Sequence, residues 1–144
     1  MDRSLLLVSI AGERAAFASE IIRSVVELDG ITPVARAPEH IAGLAALRSR
    51  AMTVVDCRRA LELVEADEPM ALAVVVELDD FLYALVVDAV EEVVPFDTEP
   101  SEIRADLLPG WARAATGMVE TSVGPALVLD PTKLIEGPAK RKAA

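Results

Sequence analysis

The side chains able to do chemistry in this chain are few and badly placed for it. His40 and Cys57 are the only members of their types among 144 residues. An imidazole can act as a general base, but His40 follows Pro38-Glu39 with no nucleophile motif beside it, so a solvated or capping role is expected. Cys57 has Arg58 and Arg59 as neighbours, the electropositive setting that activates a thiolate. It also ends an apolar run, which reads as a small core or subsurface residue. One Cys and one His fall short of the roughly four ligands of a zinc site, and a lone cysteine excludes an internal disulfide framework. The acidic pairs Asp79-Asp80 and Glu91-Glu92 could share acid–base work or hold a cation, but adjacent carboxylates on a strand point to opposite faces. A turn suits the first pair and a solvated edge the second. Neither a phosphate-cradling glycine motif nor a nucleophile elbow is present. No catalytic, cofactor-binding or metal-binding set is expected.

Three further acids recur in one context: Val54-Val55-Asp56, Val86-Val87-Asp88 and Val128-Leu129-Asp130. Each ends an apolar, β-branched run of the kind that suits strands. Asp at such an end accepts backbone hydrogen bonds as the chain turns. The stretch to organise the chain around is Leu72–Val94, where Leu72–Val76 and Phe81–Val87 read as a hairpin joined by Glu77-Leu78-Asp79-Asp80.

The remaining elements follow in order. Ser4–Ile10 and Ala15–Phe17 form a first hairpin around Ala11–Arg14. Ser19–Leu28 carries Ile21, Ile22, Val25 and Val26 at helical spacing, yet its β-branched content favours a bent strand. Pro33 keeps Ile31–Ala37 out of a sheet centre. Pro38-Glu39 reads as the start of a short helix, Glu39–Leu47, with Gly43 weakening its middle. Ala51–Asp56 is a strand, Arg58–Val64 a loop or helical turn, and Glu65–Pro69 a linker. Pro95–Pro100 breaks the pattern, and Ser101–Leu108 is expected to hold a helical turn capped by Ser101. Pro109-Gly110 signals a turn. Ala115–Glu120 and Pro125–Leu129 form a last hairpin, and Asp130-Pro131 opens a short helix that Gly137-Pro138 ends. Many short strands with little helix indicate small barrels or a sandwich.

Composition narrows the partners. The net charge is −10, and −13 without the tail cluster Lys140-Arg141-Lys142, which leaves 24 acids against 11 bases. Nucleic acid needs a basic footprint, so it is not expected. The apolar runs are interrupted by Glu77, Asp79, Asp80 and Asp88, well short of the ~20 residues of a membrane span. Neither a span nor a signal peptide is read, and a soluble cytoplasmic protein is expected. Against this acidic background Arg48 and Arg50, flanking Ser49, need a reason. One is a salt bridge to a nearby acid; the other is a partner-facing arginine, a common interface anchor. Ile22, Val25 and Val26 are either core or an apolar patch for a partner helix, and alternation along a strand permits both.

Several of these segments together resemble the CheW-like chemotaxis coupling family. Gly43–Arg59, with Arg48 and the strand ending Val54-Val55-Asp56, is similar to that family's glycine, Asn-Leu-Arg-Gly and Val-Asp-Leu-Arg stretch, although Ala46 and Ser49 stand where the family has Asn and Gly. Thr32-Pro33-Val34 and Arg36-Ala37-Pro38 resemble its preceding proline-bearing segment. Tyr83–Val93 resembles its Val-Val-Asp strand, and Leu127–Ile135 its closing strand and helix. The resemblance implies a mainly β fold of two SH3-like five-stranded barrels sharing an apolar interface, with short helices. It implies a single domain over residues 4–136, made of two sub-barrels; residues 137–144 read as a solvated basic tail. It also implies a non-catalytic adaptor that bridges the cytoplasmic tip of a chemoreceptor to the regulatory domain of a CheA-type histidine kinase. The residues so assigned to receptor or kinase contact are Ile22, Ser24, Val25, Val26, Arg48, Arg50, Val87 and Val90. Two alternatives stand beside this reading: an adaptor of a non-motility kinase pathway with the same fold, and a small β-barrel enzyme or ligand-binding protein.

Overall fold

In the computed structural model, which describes residues 3–64, 69–96, 99–103 and 106–138, the apolar runs pair as ten strands with three short α-helices among the described residues. β1 (Arg3–Ile10) and β2 (Glu13–Ala18) form a hairpin, and a 3-10 turn at Ser19–Ile21 leads into β3 (Ile22–Glu27). β4 (Ile41–Leu47) and β5 (Arg50–Asp56) precede α1 (Cys57–Ala60). β6 (Leu72–Leu78) and β7 (Phe81–Val87) make the central hairpin, and β8 (Ala89–Phe96) follows. After α2 (Pro109–Ala114) come β9 (Ala115–Thr121), β10 (Gly124–Leu129) and α3 (Pro131–Glu136).

The strands build two five-stranded SH3-like barrels, A with order β8-β1-β2-β10-β9 and B with order β3-β6-β7-β5-β4. Both follow one plan. A central hairpin (β1-β2 or β6-β7) takes an antiparallel edge strand on its first arm (β8 or β3) and a parallel strand on its second (β10 or β5). A further hairpin then adds the far edge (β9 or β4). Barrel B is one continuous stretch, β3 to β7, inserted between the two parts of barrel A.

Burial explains the valine runs. Along β6, Ala73 and Val75 fill the interior of barrel B, while Val74 and Val76 point out into a layer between the barrels. β7 does the same with Leu82, Ala84 and Val86 inward and Leu85 and Val87 outward. On β1, Leu5 and Leu7 fill barrel A and Leu6, Val8 and Ile10 enter the shared layer. Strands covered on both faces cannot alternate apolar with polar, so they read as continuous apolar runs.

The three helices close this layer. Asp56 caps α1 by accepting from the Arg58 and Arg59 N–H groups, and Asp130 caps α3 by accepting from Thr132 N–H, which offsets orphan donors of a first turn. The opposite ends are met by Arg113 of α2, whose guanidinium donates to the Ala60 carbonyl of α1 and, at 2.7 Å, to the Lys133 carbonyl of α3. Asp88 works differently from the other two strand-ending acids. It accepts from Ala11 N–H in the β1–β2 turn (2.6 Å) and from the Arg58 guanidinium (2.6 and 3.2 Å), tying barrel A to the helix that follows barrel B's β5.

The hairpins, the bent β3 strand, the strand-ending acids and the helix after Asp130 stand as the sequence indicates. Elsewhere the structure corrects it. Residues 41–47 form strand β4, not a helix: Ala45 and Leu47 turn inward while Leu44 and Ala46 face out. Gly43 sits in a bulge at φ +147°, and a Cβ there would lie 2.2 Å from the Thr32 carbonyl oxygen, so the glycine serves the bulge and does not weaken a helix. Tertiary pairing with β5 overrides the helix propensity of the alanines and leucines. Pro95 does not break β8; that strand is the edge of its sheet, where a missing N–H is tolerated. Ser101 caps no helix but bridges to Met118. The helix begins instead at Pro109, the first helical position, which suits proline's fixed φ. Residues 65–68 of the expected linker, 97–98 of the expected break, 104–105 of the expected helical turn and 139–144 of the tail lie outside the described residues.

Gly110 lets α2 sit directly on the end of α1: a Cβ there would fall 1.9 Å from the Leu61 carbonyl oxygen. Gly110→Ala should therefore destabilise the fold by about 2 kcal/mol, the usual cost of overpacking. Urea titration checks this; an unchanged midpoint would contradict the packing described.

Candidate partner-binding surfaces

The residues with chemical potential are held in structural roles. Cys57 is fully buried in the shared layer. Burial pushes its thiol pKa well above the usual range, and the Asp56 and Asp88 charges push it the same way, so the flanking arginines do not make it a nucleophile. His40 is buried rather than solvated, and it does not begin a helix. Its Nε2 lies 2.7 Å from the Ile135 carbonyl, so it caps the C-terminal end of α3, and Gly137 leaves room for the ring. Asp79 and Asp80 form the β6–β7 turn, both at positive φ, the two-residue turn that matches strand twist. Glu91 on edge strand β8 pairs with Arg14 at 3.2 Å. Among the described residues no cluster of three or more His, Cys, Asp or Glu could hold a metal.

The surface residues divide by face. On β3, Ile22 and Val25 pair with Val76 and Val74, whose side chains point outward, whereas Ser24 and Val26 pair with Val75 and Ala73, which point inward. The expected patch is therefore split. Val25 is exposed and Ile22 half-buried against the shared layer; Val26 packs inside barrel B, and Ser24 Oγ is buried without a partner among the described residues. Val87 is core, not surface: it is buried in the shared layer between the barrels. Val90 is half-buried at the margin of the same layer, beside the more exposed Val93 of the same strand.

The two arginines also part company. Arg50 donates to the Asp80 carbonyl and, with Arg23, flanks Glu77, so it braces the end of barrel B. Arg48 sits at the β4–β5 turn with φ +57°, exposed, and no acid among the described residues pairs with it. Among the described residues the salt-bridge reading of Arg48 finds no acid. Three features escaped the sequence reading: the exposed Phe81 and Leu44 on barrel B, and the Arg113 clamp. A turn-adjacent aromatic directly after Asp79-Asp80 was the available signal for Phe81, since the last row of a sheet is the least covered.

A pair of fused small barrels with an exposed arginine at the β4–β5 turn and apolar margins suits a protein-binding module. The comparisons agree. The CheW-like domain model matches residues 4–139. The chain therefore belongs to the CheW-like family, whose members are non-catalytic adaptors of chemotaxis signalling with receptor–kinase coupling as their general role. It is 22% identical over 129 residues to the chemotaxis protein CheW of Treponema pallidum (strain Nichols), across 85% of this chain and 76% of that one. The crystal structure of the scaffolding protein TtCheW from Thermoanaerobacter tengcongensis superposes with a TM-score of 0.79 over 90% of each chain at 22% identity, which bears on the fold.

Two outcomes follow. A left-handed conformation strains a residue with a Cβ by roughly 1 kcal/mol, so Arg48→Gly should raise stability by about that amount and the melting temperature by a few degrees; a calorimetric scan showing a loss would contradict it. A disulfide reagent at neutral pH should modify Cys57 only as the chain opens, with a rate that climbs with urea; immediate stoichiometric labelling in native buffer would contradict the burial.

Proposed function

We propose that this chain holds the regulatory domain of a CheA-type histidine kinase and the cytoplasmic tip of a chemoreceptor in one assembly in the cytoplasm. The acting unit is taken as one domain from residue 4 that runs past Glu136, because Gly137 is buried against His40. The observation that carries the kinase half is Arg48: in a protein of net charge −10, it is kept exposed, strained and unpaired among the described residues at the end of barrel B. A free guanidinium with a fixed turn behind it suits a carboxylate on a partner, and arginine is over-represented among interface anchors. The receptor half is supported by the junction between the barrels, where Ile22, Val25 and Val90 present aliphatic surface at the margin of the shared layer. An amphipathic helix laid there would extend that layer with its own apolar stripe.

No helix among the described residues is long and apolar enough to cross a membrane. Attachment to a receptor array would then come through protein contacts. The adaptor's mechanism is geometric: it shifts the kinase between states only as far as its contacts differ between them.

Arg48→Glu should lower co-purification with the kinase on the order of tenfold, a typical cost for a charged anchor, with no loss of melting temperature. Equal recovery of kinase by the variant and the parent chain would sink the assignment of Arg48.

A further inference from the structure

Barrel B is closed by the chain that leaves β3. β3 and β4 are opposite edges of its sheet, and the link between them is bonded on both sides. Leu28 N–H donates at 2.7 Å to the carbonyl of Ala71, the residue before β6. Thr32 exchanges two backbone hydrogen bonds with Leu44 of β4, each 2.8 Å long. Leu28 and Ile31 pack against the interior of barrel B. Between these anchors Asp29 and Gly30 are exposed.

Asp29-Gly30 is the one Asp-Gly pair in a chain that has neither asparagine nor glutamine. An aspartyl side-chain carbonyl carbon can be attacked by the amide nitrogen of the next residue when the backbone between them folds back. Glycine in the second place leaves that backbone most free to do so. The surroundings do not oppose it. Among the described residues the Asp29 carboxylate has no hydrogen bond or ion pair, and Gly30 N–H has no backbone acceptor. Nothing lies within 4 Å of the place a Gly30 Cβ would take. Other aspartates are held or blocked. Asp88 accepts from Ala11 and Arg58, and Asp56 caps α1. Asp130 caps α3 and precedes Pro131, which has no N–H to give up. Asp80 precedes the bulky Phe81.

We propose that Asp29–Gly30 is a self-modification site at which the backbone isomerises to an isoaspartyl link, and that the change slackens the seam of barrel B. The Gly30 nitrogen bonds to Asp29 Cγ. The carboxyl hydroxyl leaves with the amide proton as water, and a cyclic imide remains. Water then adds to the Asp29 backbone carbonyl carbon and breaks its bond to the Gly30 nitrogen. The main chain now runs through Cβ and Cγ, and the former backbone carbonyl is a free carboxylate. Nothing is oxidised or reduced, and one water leaves for each that returns. The extra main-chain bond adds about 1.5 Å of chain between two anchored points. Leu28 continues a strand paired along its length, whereas Thr32–Leu44 is an isolated bridge, so the slack is released at Thr32.

The test ages the whole chain in warm neutral buffer, digests it with trypsin, and counts isoaspartyl carboxylates by methyl transfer from S-adenosylmethionine with an isoaspartyl methyltransferase. Cleavage after Arg23 and Arg36 isolates Ser24–Arg36, in which Asp29 is the sole aspartate. That peptide should gain label on the order of tenfold faster than any other Asp-bearing peptide, and Gly30→Val should slow it roughly tenfold by removing glycine's backbone freedom. The space around Gly30 is open and its φ is not positive, so the variant should fold, and a melting scan checks this. Hydrogen exchange at the Thr32 and Leu44 amides should be faster in the isoaspartyl chain than in the fresh one, and unchanged on ageing Gly30→Val. Label spread evenly over the Asp-bearing peptides overturns the site, and so does equal ageing of Gly30→Val and the parent. Equal exchange at Thr32 and Leu44 in isoaspartyl and fresh chains overturns the slackened seam.

Discussion

Several strands in this protein, among them β1, β2, β6, β7 and β10, must be apolar on both faces, and the rest of the structure follows from that. β1, β6 and β7 each have a barrel interior on one side and the neighbouring barrel on the other. Neither interior is large. Barrel A is filled by Leu5, Leu7, Ala16, Val119 and Ala126, and barrel B by a similar handful. Domains that small bury too little surface to be secure alone. The layer between them, with Phe17, Trp111 and Leu134 among its members, is the largest core of the molecule. Each barrel is thus the other's missing cover. Apolar burial is non-directional, so the layer holds the barrels together without fixing how they are turned. Direction comes from polar joints at its edge: the Asp88 carboxylate between the β1–β2 turn and Arg58, and Arg113 across the ends of α1 and α3.

This also explains what could be read from residues alone. Hairpins were legible wherever an apolar run met turn chemistry, as at Asp79-Asp80. The capping acids Asp56 and Asp130 were legible because Asp and Pro carry local signals. β4 was not, because Ala-Gly-Leu-Ala-Ala-Leu has no preference that survives without its partner strand, and its bulge at Gly43 depends on Thr32, eleven positions earlier. α2 was hidden because Pro-Gly signals a turn locally, while Gly110 is there for its contact with Leu61. The candidate surface was half legible. Arg48 stood out as a cation in an acidic chain. Phe81 did not, because on a strand apolar on both faces no periodicity tells a covered row from a bare one. Val87 was misplaced for the same reason.

The arginines show how much of the fold rests on links the sequence does not announce. Arg14 donates to the Val123 carbonyl and so ties the β9–β10 turn to β2 in barrel A. Arg50 donates to the Asp80 carbonyl and ties the β6–β7 turn to β5 in barrel B. The two ends of the molecule are braced alike by arginines from non-equivalent strands, so the likeness of the barrels is one of need and not of repeated residues. Among the described residues Arg48 and Arg36 provide no such brace, and both sit exposed at positive φ.

An adaptor without chemistry can transmit only by moving as a body or by changing which contacts it makes. A close-packed aliphatic layer resists continuous deformation and passes displacement on. The junction around Ile22 and Val25 and the outer face around Phe81 lie on the same sheet, joined through β6 and β7. Val76 pairs with both Ile22 and Tyr83, and Leu78 with Phe81. A shift imposed at the β3 edge is therefore carried by two hydrogen-bonded strands to the Phe81 row, a span of two strand spacings, about 10 Å. The same strands are clamped behind by barrel A, so the shift cannot be absorbed by the core. What barrel A contributes is stiffness: it turns barrel B's sheet from a flexible ribbon into a plate with one covered and one open half.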